Sequence, residues 1–121
     1  DLLFNGVTEL PESSLSDTNV VKASCQRNQY INTLTRSIDH KPQRSWQRQM
    51  GLYGGSVNSF LNFAQLPVTL AEEQNNIEML RWLDHGHQLC SIELQGAPYS
   101  VDTPDDMKKC QLFLKSKNYL R

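Results

Sequence analysis

Asp102 has the most chemically suggestive setting in the sequence. It closes Tyr99-Ser100-Val101 and directly precedes Thr103-Pro104-Asp105-Asp106, which reads as the start of a helix. Thr is a good N-cap, Pro suits the first helical position, and acids are favoured where the helix dipole is positive. A carboxylate at that junction sits at the rim of an α/β sheet, where open sheets bind ligands. It could hold one face of a Mg²⁺ ion, which takes one or two protein carboxylates plus phosphate oxygens. The simpler explanation on spacing alone is a well-capped helix start.

Two further charged residues have a chemical reading beside an ordinary one. Arg36 could clamp a carboxylate through its guanidinium fork, or be a surface arginine. Glu78 could reach a ligand, or pair with Arg81 one turn on. Trp46, among basic residues, could stack on bases, but twelve Lys plus Arg against thirteen Asp plus Glu give a net charge of −1. That balance argues against nucleic acid as a partner, because counterion release needs a basic surplus.

Several chemistries lack their motifs. Cys25, Cys90 and Cys110 are odd in number and scattered, with no Cys-x-x-Cys. They suit a reducing cytosol, where cysteine behaves as a small buried hydrophobe. His85 and His87 flank Gly86 without a third ligand at a familiar spacing, so a helix-to-strand turn is expected there. No P-loop, Rossmann glycine motif or Gly-x-Ser-x-Gly elbow occurs, so the chain has no glycine cradle of its own for a nucleoside triphosphate. No apolar run approaches the ~20 residues needed to cross a bilayer. DLLFNGVTEL lacks the features of a signal peptide. With no Met at position 1 and apolar residues from position 2, the chain is expected to begin inside a structural element.

The elements that must position these residues follow from pattern. Residues 1–121 are short enough for one domain or part of one. Leu2 to Val7 reads as a strand and PESSLSD at 11–17 as a loop. Val20–Cys25 and Tyr30–Leu34 read as a hairpin, with Asn28 supplying a left-handed turn residue. Residues 36 to 48 are polar and basic and suggest a loop or arm. Trp46 to Gly54 alternates, which would turn Met50 and Leu52 inward. Gln49 and Tyr53 would then share the other face, with Gly51 leaving room between them or marking a bulge. Ser56–Leu66 reads as a short helix. A capping box of Thr69 and Glu72 starts a helix expected to run to about Asp84, with Leu70, Ile77, Leu80 and Leu83 on its apolar side. Cys90, Ile92 and Leu94 alternate as a half-buried strand. Thr103 starts a last helix that presents Met107, Cys110 and Leu114. The expected class is α/β, a mixed sheet with flanking helices.

Taken together, these residues resemble one family. Asn19-Val20-Val21-Lys22, Thr35-Arg36-Ser37, Met50-Gly51-Leu52-Tyr53-Gly54, Ile77-Glu78-Met79-Leu80-Arg81, Asp84-His85-Gly86 and Val101-Asp102-Thr103-Pro104-Asp105-Asp106 match its motifs in order and spacing. The family is 3-deoxy-manno-octulosonate cytidylyltransferase (CMP-Kdo synthetase), and the match covers only its C-terminal half. The resemblance implies a Rossmann-like nucleotide-diphospho-sugar transferase fold, of which residues 1–121 would be the sugar-binding and dimer-forming part. It implies a cytoplasmic homodimer that uses Mg²⁺ to join CTP and 3-deoxy-manno-octulosonate into CMP-Kdo and pyrophosphate, for lipopolysaccharide or capsule synthesis. Carried over by position, Asp102 is the metal ligand, and Arg36, Gln49, Tyr53 and Glu78 belong to the sugar site. Gln49 stands where the family usually has His, Met79 where it has Gln, and Asn75 where it has an acid. Ser37-Ile38-Asp39-His40 replaces Ser-Pro-Ile-Pro. These departures imply a related octulosonate or nonulosonate as substrate, or a non-catalytic dimerisation or sugar-binding module on the same scaffold.

Overall fold

The computed structural model describes residues 1–38, 46–96 and 100–120. The apolar run at the start forms β1 (Leu2–Glu9). A 3-10 turn follows at Glu12–Ser14. The expected hairpin is present as β2 (Lys22–Cys25) and β3 (Ile31–Thr35), paired antiparallel. The left-handed turn residue is Gln29 (φ 66°) rather than Asn28. Most of the expected basic arm lies outside the described residues, and its last three residues open β4 (Trp46–Gly55). Then come α1 (Val57–Gln65), α2 (Leu70–Asn75), α3 (Met79–Asp84), β5 (Gln88–Glu93) and α4 (Pro104–Ser116).

The five strands form one mixed sheet in the order β3-β2-β4-β1-β5. β1 runs antiparallel to β4 and parallel to β5. The two ends of the sheet meet at an antiparallel Tyr30–Cys90 bridge, where the Ser91 N–H donates to the Gln29 carbonyl at 2.7 Å. The sheet therefore curls, and one face wraps Leu3, Val7, Ala23, Ile31, Leu34 and Leu89 around Ile77, Met79, Leu80 and Trp82. Trp82 is fully buried, donates its indole N–H to the Gln88 carbonyl and stacks on His87. The His-Gly-His turn joins α3 to β5 as expected, with Gly86 at φ +78°.

Four expectations about local structure and packing are corrected. The helix from Thr69 does not run unbroken to Asp84. Asn76 adopts the left-handed conformation (φ 52°, ψ 47°) and ends α2, so Glu78 becomes the N-cap of α3 rather than a mid-helix residue. Asparagine tolerates that conformation better than most residues. Thr69 caps the Glu72 N–H, but the Glu72 carboxylate does not return to Thr69. It accepts from the Arg81 Nε and Nη2 at 2.7 and 2.6 Å, so Glu72, not Glu78, is the partner of Arg81. Leu52, Leu70 and Ile92 face outward, at 56%, 67% and 46% exposure.

The last helix keeps its expected start. Thr103 and Asp106 form a reciprocal capping box with Pro104 in the first turn. None of its residues is buried. No helix of the described residues is long and apolar enough to cross a membrane.

Candidate functional site

The site is built around an irregularity between β1 and β4. Val7 pairs with Gln49 and Asn5 with Tyr53, so Gly6 alone faces Met50, Gly51 and Leu52. The bulge keeps Gln49 and Tyr53 on one face of the strand, in agreement with the sequence alternation. Gly51, at its apex, has nothing within 4 Å of where a Cβ would stand.

A cleft of about 470 Å³ opens there, lined by Asn19–Val21, Arg48–Gly51, Ser100 and Val101. The Gln49 N–H donates to the Val21 carbonyl at 2.9 Å and fixes that wall to β4. Asp102 follows the Ser100–Val101 wall and is exposed. Its Oδ2 accepts from the Ser100 hydroxyl at 2.7 Å, and its N–H donates to Asp106 Oδ2 at 3.3 Å. No salt bridge engages it among the described residues. It keeps one carboxylate oxygen unengaged there, a donor set that fits a Mg²⁺ ion whose other positions are filled by phosphate oxygens and water. No group of three or more His, Cys, Asp or Glu that could hold a metal occurs among the described residues. Tyr99, before Ser100, lies outside them. A larger cleft, about 610 Å³ between Thr8, Arg48 and Glu93, contains none of the site residues named from sequence.

Neither Tyr53 nor Glu78 lines this cleft, and the two lie near enough to each other for the Glu78 charge to act on the Tyr53 phenol. Burial raises the Tyr53 phenol above its usual range, and the Glu78 charge raises it further. Arg36 lies behind the wall. Its Nε donates to the Asn75 carbonyl at 2.6 Å, Nη2 to Asn76 at 3.0 Å, and Nη1 to Thr18 and Asn19 at 3.1 and 3.4 Å. The fork expected to grip a ligand carboxylate is thus turned on backbone carbonyls at the end of α2 and in the cleft wall. Met79 packs in the core.

Two residues to which the sequence reading gave no role support the site. Lys22 is fully buried, with its ammonium donating to the carbonyls of Asp17 (2.6 Å) and Arg36. Burial lowers its pKa, with the Asp17 charge opposing and the Arg36 charge adding to the shift. Asn5 is also fully buried. A lone amide inside Leu2-Leu3-Phe4-Asn5-Gly6-Val7 was the available signal, because a polar group in a buried strand must have partners. The three cysteines are free and half-buried, and burial raises the Cys25 and Cys90 thiols.

No family model matches the chain. Curated relatives do, among them three that bear the name 3-deoxy-manno-octulosonate cytidylyltransferase. The protein of Chloroherpeton thalassium is 31% identical over 116 residues, 92% of this chain and 47% of that one. That of Dichelobacter nodosus is 30% identical over 112 residues, 87% and 44%. That of Parabacteroides distasonis is 28% identical over 116 residues, 88% and 46%. A solved structure of CMP:2-keto-3-deoxy-manno-octonic acid synthetase complexed with CTP superposes with a TM-score of 0.84 at 20% identity, over 95% of this chain and 49% of that one. The chain spans about half the length of the curated relatives it matches. The structural likeness agrees with the α/β nucleotide-sugar transferase fold expected from sequence.

Proposed function

We propose, for a chain related by sequence to the 3-deoxy-manno-octulosonate cytidylyltransferases over about half their length, that it is the sugar-binding part of such an enzyme. The observation that carries this reading is the cleft that joins Gln49, the open Gly51 and the Ser100–Val101 wall leading to Asp102. Gln49 and the wall carbonyls would hold the hydroxyls of a 3-deoxy-octulosonate, with Tyr53 and Glu78 completing the pocket. Arg36 would stiffen the pocket from behind. The anomeric hydroxyl of the sugar attacks the α-phosphorus of CTP, a phosphoester bond forms and pyrophosphate leaves.

Asp102 would hold Mg²⁺ through its free oxygen, and the ion, when bound, supplies charge neutralisation on the phosphates. CTP itself would be gripped mainly by residues beyond this half of the fold, because the chain has no glycine-rich phosphate loop. Turnover would need both halves, and the working form would be a cytoplasmic homodimer.

Titration of the chain with 3-deoxy-manno-octulosonate, followed by an assay with CTP and Mg²⁺, tests this. Sugar binding without CMP-sugar formation is expected. Rapid CMP-sugar formation by the chain alone would refute the division of labour, and no sugar binding would refute the pocket. The commitment of Arg36 to carbonyls favours a second reading, a non-catalytic sugar-binding or dimerisation module on the same scaffold. In a polypeptide carrying both halves, Asp102→Asn separates the two: loss of CMP-sugar synthesis supports the enzyme, and an unchanged rate supports the module.

A further inference from the structure

We propose that Asn5 is a positioning residue of the cleft, acting through Gln49: it holds the β4 bulge and turns the Gln49 amide so that its carbonyl oxygen and one N–H are left for a polyhydroxy ligand. The inference rests on the reading of the cleft as a sugar site.

Asn5 is fully buried in a central strand, where an amide is destabilising unless its groups are paired. Every one of its groups has a partner. Nδ2 donates to the carbonyls of Met50 at 2.9 Å and Leu52 at 3.2 Å, with Gly6 as a third acceptor at 3.2 Å. The residue between the first two is Gly51, the open point of the cleft. Oδ1 accepts from Gln49 Nε2 at 2.6 Å.

The orientation follows from this inventory. Three carbonyls around Nδ2 forbid the flipped amide, which would set an oxygen against oxygens. Oδ1 must then face Gln49, which has to answer with its NH₂ group. Gln49 keeps an acceptor and a second donor, and no other side-chain hydrogen bond of Gln49 is made among the described residues. Gln49 is one of the residues that line the cleft. A fixed neutral amide of this kind pairs with a sugar hydroxyl, which both donates and accepts, and it gains affinity by being oriented in advance.

The test uses side-chain amide NMR on the full chain together with binding of 3-deoxy-manno-octulosonate. In the wild type, the two Gln49 amide protons should be well separated and slow to exchange. In Asn5→Ala they should collapse to free-glutamine positions while the Trp82 indole N–H signal stays in place. Unchanged Gln49 signals in Asn5→Ala overturn the proposal. If that variant does not fold, the wild-type pair decides alone, and free-glutamine positions there overturn it. For affinity, Asn5→Ala and Gln49→Leu should each weaken sugar binding about tenfold, and the double variant no more than the weaker single. Additive losses overturn the action through Gln49. A wild-type chain that binds no sugar defeats the sugar reading of the cleft, while the amide signals still decide whether Asn5 orients Gln49.

Discussion

Replacing Arg36 with alanine distinguishes a clip from a ligand grip. The guanidinium makes one part-buried bond, to the Asn75 carbonyl, and three exposed ones, to Thr18, Asn19 and Asn76. Hydrogen bonds from charged donors contribute about 1.5–3 kcal/mol, and exposure reduces that. Taking about 1.5 kcal/mol for the part-buried bond and about 0.5 for each exposed one gives roughly 3 kcal/mol, some of it recovered when water reaches the freed carbonyls. The net expectation is a loss of about 2–3 kcal/mol, or roughly 6–12 °C in the melting temperature of a domain this size. Arg36→Lys should fall about midway, because one ammonium cannot span both the α2 end and the cleft wall. Thermal melts followed by far-UV circular dichroism, without ligand, measure this directly. A ligand-gripping arginine held away from the backbone would leave the ligand-free melt unchanged on truncation, or raise it. A melt of Arg36→Ala within about 1 °C of wild type would therefore refute the structural role derived from these four bonds.

Glu72→Gln should cost about 2–4 kcal/mol at neutral pH, because it leaves the Arg81 charge half-buried without its carboxylate. The Arg81 hydrogen bonds hold the Glu72 carboxyl below its usual range, so its stabilisation is full above the unfolded value and fades as pH falls through the folded one. Melting temperatures should drop below about pH 4.5 in the wild type and less steeply in Glu72→Gln. Asn76→Gly should unfold within about 0.5 kcal/mol of wild type, and Asn76→Val should lose about 1–2 kcal/mol, because a β-branched residue strains the left-handed break. Urea titrations check both. Gly55→Ala would bring a methyl within 2.6 Å of Leu3 Cδ2 and should cost about 1–3 kcal/mol. Gly51→Ala meets nothing and should leave the melt in place while weakening ligand binding in the cleft, which calorimetry reads.

Several features that depend on neighbours three or four residues apart were legible in the chain itself, although the Thr69–Glu72 box and the Glu78–Arg81 pair were not borne out. The Thr103–Asp106 capping box, the turn at Gly86, the Ser56 start of α1 and the shared face of Gln49 and Tyr53 all follow from local hydrogen bonds and a period of two or 3.6. Partner choice across the sheet was not legible. Arg81 has Glu78 beside it in sequence, yet pairs with Glu72, because the left-handed Asn76 folds α2 back against α3. Leu52 alternates as a core residue should, but the core residues Ala23 and Val7 pair with Gln47 and Gln49, so the core side of β4 is the face of Gln49 and Tyr53, and Leu52 lies on the other. The guanidinium of Arg36 and the amide of Asn5 take their roles from carbonyls about 17 to 47 residues away. Short-range pattern sets where each element starts. Only the register between distant strands decides which polar group meets which, since a buried donor must take whatever acceptor the packed backbone brings to it.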